Sequence, residues 1–175
     1  MLFLTAGHHK KDAGATYNSR KEAHETIRLR NAITTMLLSK GIAVWNDSDD
    51  WDLSHTIAEI RKYSAPENII CDLHFNAGSP SATGCEVYIP ENADAIEQTL
   101  ARKLSAAIAT TLGIKNRGVK PESNSQHKRL GIMRPQGKNL LVEICFISSN
   151  YDMLQYDTFF DLLVERMAEV LGNPL

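Results

Sequence analysis

Ile69-Ile70-Cys71-Asp72-Leu73-His74 is an apolar, strand-like run that ends on an imidazole, and two other segments repeat the arrangement. Leu2-Phe3-Leu4-Thr5 leads into Gly7-His8, and Leu140-Leu141-Val142 leads into Glu143. Runs this short and apolar, separated by long helical stretches, read as strands buried in a parallel sheet. The carboxyl ends of such strands form the rim where ligands bind.

Working outward, further strand-like runs fall at Ile42 to Trp45 and Cys85 to Ile89, and the third quoted run spans Asn139 to Phe146. Helical periodicity covers Arg20 to Ser39, Leu53 to Tyr63, Ala93 to Leu112 and Asp157 to Leu171. Gly41 and Gly113 follow helices where a terminal glycine is favoured. Pro66 and Pro90 mark breaks, Pro121 to Lys128 reads as a polar loop, and the locally basic Lys115 to Lys120 as a solvated turn. The alternation predicts one α/β domain over 1–175, with a twisted, mainly parallel (mixed) sheet and helices on both faces.

Two imidazoles and a carboxylate carried to one rim form a set suited to a zinc hydrolase, provided a third protein ligand exists. Glu22 is the best candidate. At 100° per residue, Leu29, Ile33, Met36 and Leu37 cluster in one arc of the first helix, with Glu22 near its centre. His24 points to the polar side with Arg28, Asn31 and Thr35. An acidic residue in a first helical turn commonly only compensates the helix dipole. An inward carboxylate is costly without a partner, and a nearby cation resolves that cost.

The 175 residues are 43% hydrophobic and 23% charged, with a formal net charge of −2. That is enough for one buried core, and no basic stripe argues for nucleic acid. Neither a secretory leader nor a membrane-spanning run is evident. The expectation is therefore synthesis in the cytoplasm without a signal peptide. Cys71 and Cys145 lie in apolar runs and read as buried free thiols. Nucleophile elbows, His-Glu-x-x-His and phosphate-binding glycine loops are missing.

The order of motifs is specific. Gly7-His8 with Asp12-Ala13-Gly14-Ala15, then Glu22, are followed by His74-Phe75-Asn76-Ala77, Gly84-Cys85-Glu86-Val87-Tyr88, Arg117-Gly118-Val119-Lys120, Met133-Arg134 and Val142-Glu143-Ile144-Cys145-Phe146. The series resembles the zinc-dependent N-acetylmuramoyl-L-alanine amidases of the amidase-3 family, from Leu2 to about Asp152. The resemblance implies one Zn2+ per chain on His8, Glu22 and His74, with Glu143 as the catalytic carboxylate. It implies peptidoglycan as substrate, cut between N-acetylmuramic acid and L-alanine. The chain departs from the family at Thr5-Ala6, His9-Lys10 and Cys145, none of which removes a ligand. With no leader, a phage or prophage endolysin that reaches the wall after release is the favoured setting, as a monomer.

Each residue also has a plainer reading. His8 suits a turn, His74 a hydrogen-bonded core imidazole, and Glu143 an ion pair with Arg134. His24 and His55 read as solvated helix positions, His9 as a surface or subsite position, Trp45 as core and Trp51 as a cap on the following helix. Asn76, His127 and Arg134 are the candidate substrate contacts. A zinc exopeptidase-like hydrolase and an inactive wall-binding module are the alternatives.

Overall fold

The structure is a computed structural model that describes residues 1–173. Strand β1 (Leu2–Ala6) runs through a short hairpin, β2 (Thr16–Tyr17) and β3 (Arg20–Lys21), into α1 (Glu22–Ser39). Then follow β4 (Val44–Asn46), α2 (Leu53–Tyr63), β5 (Ile69–Asn76), β6 (Cys85–Ile89), α3 (Ala95–Leu112), β7 (Asn116–Pro121), β8 (Lys138–Phe146), α4 (Asn150–Thr158) and α5 (Phe160–Gly172). The six long-range strands form one sheet in the order β4-β1-β5-β8-β6-β7. Every pairing is parallel except β6 with β8.

From β1 the chain crosses to β4 on one side and then returns to β5 on the other. That reversal opens a crevice at the carboxyl ends of β1 and β5, the usual ligand position in such sheets. His8 follows β1 and His74 lies near the end of β5, so the topology brings both imidazoles to this crevice.

The two faces of the sheet are unequal. Leu2, Leu4, Cys71, Leu73, Leu140 and Val142 point toward α1, α3 and α5 and form the larger core. Intervening positions point the other way, where Phe3, Ile70, Tyr88 and Leu141 meet Ile60 of α2 and Leu130, Ile132 and Met133. On that second face, period-2 alternation continues past the apolar residues to Thr5, Asp72, His74 and Glu143. The same alternation therefore builds a core at one end of the strands and a polar site at the other.

Several boundaries differ from the sequence reading. Lys115 to Lys120 is no solvated turn: most of it is β7, an edge strand. It lacks apolar alternation and carries Gly118 and Pro121, both tolerated at an edge. The last helical stretch begins earlier than Asp157, because Ser149 caps a separate α4 through the N–H of Asp152. Arg20 and Lys21 belong to β3, joined to β2 by Asn18 and Ser19, both with positive φ, as a two-residue hairpin turn requires. Gly113 does terminate α3 in the left-handed region. Cys71, Cys85 and Cys145 are free and buried.

Asp152 is fully buried and joins three segments. Its Oδ2 accepts from the backbone N–H groups of Gly84 and Phe146, each at 3.0 Å, and its Oδ1 accepts from the Thr83 hydroxyl. These bonds pin the start of β6 to the end of β8. Asp152→Ala leaves two buried N–H groups unpaired and should cost about 2–4 kcal/mol. Chemical denaturation checks this; a loss below about 1 kcal/mol would mean that water replaces the carboxylate.

Candidate metal centre and active site

Glu22 is the first residue of α1, buried, and its two oxygens are used symmetrically. Oε1 accepts the backbone N–H of Phe75 at 3.0 Å and lies 2.9 Å from His74 Nδ1. Oε2 accepts the backbone N–H of Ala15 at 2.9 Å and lies 3.1 Å from His8 Nε2. The far nitrogen of each ring is held as well: His8 Nδ1 is 2.9 Å from Asp12, and His74 Nε2 is 3.1 Å from Asp72. Asp72 is itself fixed by the Thr5 hydroxyl at 2.7 Å. Carboxylates behind metal-type histidines set tautomer and ring orientation.

Local backbone makes this convergence possible. His8 has φ +67, a left-handed conformation unusual for a residue with a side chain. Gly14 also has positive φ, and a Cβ there would strike both the His8 ring and the Glu22 carboxylate. The Thr26 hydroxyl, one turn along α1, donates to the Gly7 carbonyl at 2.8 Å and ties the helix to the loop that carries His8.

Charge follows geometry. Burial disfavours an ionised Glu22, but the hydrogen bonds from His74 and His8 outweigh it and hold the carboxyl well below its ordinary range. The Glu22 hydrogen bond raises His8 above its ordinary value against burial. Burial opposes the cationic form of His74, yet Asp72 and Glu22 together raise it. The cluster is thus a place that favours positive charge. His8, Glu22 and His74 each offer one donor atom, all within 4.8 Å of one another, a spacing that one metal ion can satisfy.

Glu143 on β8 stands opposite His74 on β5. Its Oε2 is shielded from solvent and has no hydrogen-bond partner among the described residues. Burial lifts the carboxyl to about 7, with His74 opposing and Glu22 and Glu86 reinforcing the rise. A buried oxygen without a partner is rare enough to require an explanation. A cavity of about 610 Å³ lies in front of it, and His8, Glu22, His74 and Glu143 all line that cavity.

The other candidates divide. Asn76 lines the cavity, but its amide already donates to Glu86 and its carbonyl oxygen accepts from Ala77 N–H. His127 is exposed on the cavity wall. Arg134 is ion-paired with Glu122, away from both the cavity lining and Glu143. His9 and Trp51 also line the cavity, Trp51 stacked on His55 at 4.5 Å, whereas His24 is exposed. Sequence reasoning gave no roles to Asp12, Asp72 or Glu86. The positions of Asp72 and His74, two apart on one strand, were the available signal for the first pairing of this kind.

Fold and site together define an open α/β sheet with a His–Glu–His cluster at its topological switch point. The profile of the N-acetylmuramoyl-L-alanine amidase family, amidase-3, matches residues 2–165, and the chain belongs to that family. It is 27% identical over 154 residues to the N-acetylmuramoyl-L-alanine amidase LytC of Bacillus subtilis (strain 168), covering 86% of this chain and 30% of that protein. It is 26% identical over 187 residues to the endolysin of Bacillus phage SPP1, covering 100% of this chain and 66% of that protein. The chain therefore spans less than two thirds of the length of either relative. The N-acetylmuramoyl-L-alanine amidase from Clostridium difficile 630 shares the fold with a TM-score of 0.82 at 21% identity, over 96% of this chain and 92% of that one. The catalytic domain of the CD27L endolysin shares it at 0.75 and 18%, over 98% and 96%.

Gly7 provides a direct test of the cluster. A Cβ at this position would overlap the His74 ring, which must then move. Gly7→Ala should stay folded but bind zinc at least tenfold more weakly, the order seen when ligand support is lost. A competitive chelator titration measures this. Unchanged affinity would show that the ring position seen here is not the one that binds metal.

Proposed function

We propose that the protein hydrolyses peptidoglycan at the amide between N-acetylmuramic acid and L-alanine, with one zinc ion held by His8, Glu22 and His74. The observation that carries the proposal is Glu143: a shielded, unpartnered carboxylate oxygen across the strand pair from His74, facing the cavity. Membership of the family and the likeness to LytC and the SPP1 endolysin support the choice of bond.

The donor set suits the metal. Two imidazoles and one carboxylate form a catalytic type of zinc set, which leaves room for reactants. When bound, zinc supplies the Lewis acidity that acidifies water and polarises a carbonyl. The chain's own residues do the rest. Asp12 and Asp72 hold the rings of His8 and His74 so that the nitrogens facing Glu22 stay aligned. Glu143 takes a proton from the attacking water and delivers it to the alanine nitrogen as the C–N bond breaks. The products are a lactyl carboxylate on the glycan and a stem peptide with a free α-amino group.

A binding-only module has no use for a shielded carboxyl left without a partner, so Glu143 disfavours that reading. The SPP1 endolysin likeness supports action on the wall after release from the producing cell. No described helix is long and apolar enough to cross a membrane.

Digestion of purified peptidoglycan, followed by mass spectrometry, should release stem peptides with N-terminal alanine and no new reducing sugar ends. New reducing ends without alanine amines would overturn the proposal. Glu143→Gln should retain zinc and lose about a hundredfold or more in turnover. His74→Ala should lose both. A Gln variant with near-normal turnover would remove Glu143 from the proton transfers.

A further inference from the structure

Beside Glu143 lies a second buried carboxylate that the proposed chemistry does not use. Glu86 on β6 pairs directly across from Glu143 on β8 and is 2% exposed. Its Oε1 accepts from the Asn76 amide and the Tyr88 hydroxyl, both at 2.9 Å. Its Oε2 accepts from Arg117 Nε at 2.8 Å and from the Lys120 ammonium. Asn76 and Tyr88 line the cavity. Arg117 is thus one shared carboxylate away from the cavity wall.

The backbone is bent to achieve this. Cys85 pairs with Asn116 and Val87 with Val119, so Arg117 and Gly118 together oppose Glu86 alone. This is a bulge, and Gly118 supplies its φ of +83. Val119 packs against the larger core. Strict alternation would send Arg117 to that same core, as both are odd-numbered positions of one strand. The extra residue re-aims Arg117 to the face that carries Glu86 and Glu143.

The result is two cations on one carboxylate, a local excess of one positive charge. Both side chains remain reachable from solvent, at 31% exposure for Arg117 and 27% for Lys120. Arg117 spends only Nε on Glu86, and its guanidinium lies 5.1 Å over the Phe146 ring. Its two terminal nitrogens make no hydrogen bond among the described residues and can take a planar anion, the geometry at which arginine excels. Well-packed apolar side chains often serve stability as well as a buried ion pair does, so fixing these cations in place is the better account of the arrangement.

We infer that Arg117 and Lys120, oriented by Glu86, bind a carboxylate on the peptide side of the scissile amide. This rests on the amidase reading above. Once its lactyl carboxyl is tied up in the amide, the muramic sugar carries no charge, so the anion must come from the stem peptide.

The test compares N-acetylmuramoyl-L-alanyl-D-glutamate with its diamide, in which both carboxylates of the glutamate are amides and no anion remains. Wild-type protein should favour the acid by roughly tenfold in kcat/KM, carried by KM. Arg117→Gln should raise KM for the acid several-fold more than for the amide, with zinc content unchanged, and Arg117→Lys should restore part of the preference. Equal losses on both substrates would show that Arg117 only supports the fold. Should Arg117→Gln not fold, Lys120→Gln and the wild-type comparison still decide. A second arm needs no turnover: titration of the zinc-loaded protein with L-alanyl-D-glutamate and its diamide, followed by NMR. Equal affinity overturns the subsite. Acid preference in binding without hydrolysis of either substrate would sink the amidase reading and keep the subsite.

Discussion

A single buried carboxylate, Glu22, organises the site. Its two oxygens each take one backbone N–H and face one imidazole, so one side chain fixes the segment after β1, the end of β5 and the start of α1 relative to one another. An isolated buried carboxylate costs several kcal/mol, and excellent hydrogen bonding together with nearby positive charge offsets that cost. Here the offset comes from His8 and His74, both shifted toward their cationic forms. A pocket that raises proton affinity on two imidazoles around one carboxylate also attracts a metal cation, which must displace those protons to bind.

The sheet accommodates this charge by concentrating it. The strand-borne polar groups Thr5, Asp72, His74 and Glu143 stand on the face covered by α2, at the rim, while the opposite face contributes an apolar layer under α1, α3 and α5. The strands are therefore anchored from behind, and α1 reaches the rim through Glu22 and the Thr26 hydroxyl bonded to Gly7. Asp152 provides the same service on the far side of β8 by holding Phe146 and Gly84. Side chains that must be placed to within a fraction of an ångström thus sit on rigid strands supported by a packed core.

Much of this was legible in the sequence, for physical reasons. β1, β5 and β8 are apolar runs with no rival helical period, and the arc of α1 put Glu22 inside and His24 outside, as observed. Burial of Glu25 and Arg30 on the same helix was not legible, because Arg30 is satisfied by Asp47 and Asp49, partners that only tertiary structure supplies. β7 was missed because an edge strand with a bulge has neither alternation nor apolar content. α4 was missed because its stability comes from the Ser149 cap and the buried Asp152 rather than from a periodic apolar face. Arg134 carried a plausible charge for substrate, yet Glu122 had a nearer claim on it.

The same bulge explains how two like charges can face each other across β6 and β8. Glu86 and Glu143 are directly paired, an arrangement that is unfavourable when both are ionised. Both cations of β7 bond to Glu86 and hold it toward its ionised form: burial works against that form, but Lys120 and Arg117 overcome it and lower its proton affinity. Glu143 receives no cation from this edge, and burial leaves it with a proton affinity near neutrality. Had strict alternation directed Arg117 into the core, Glu86 would have kept Lys120 alone. The position of one glycine in an edge strand therefore helps decide which of two neighbouring carboxylates is fixed as an anion and which can exchange a proton.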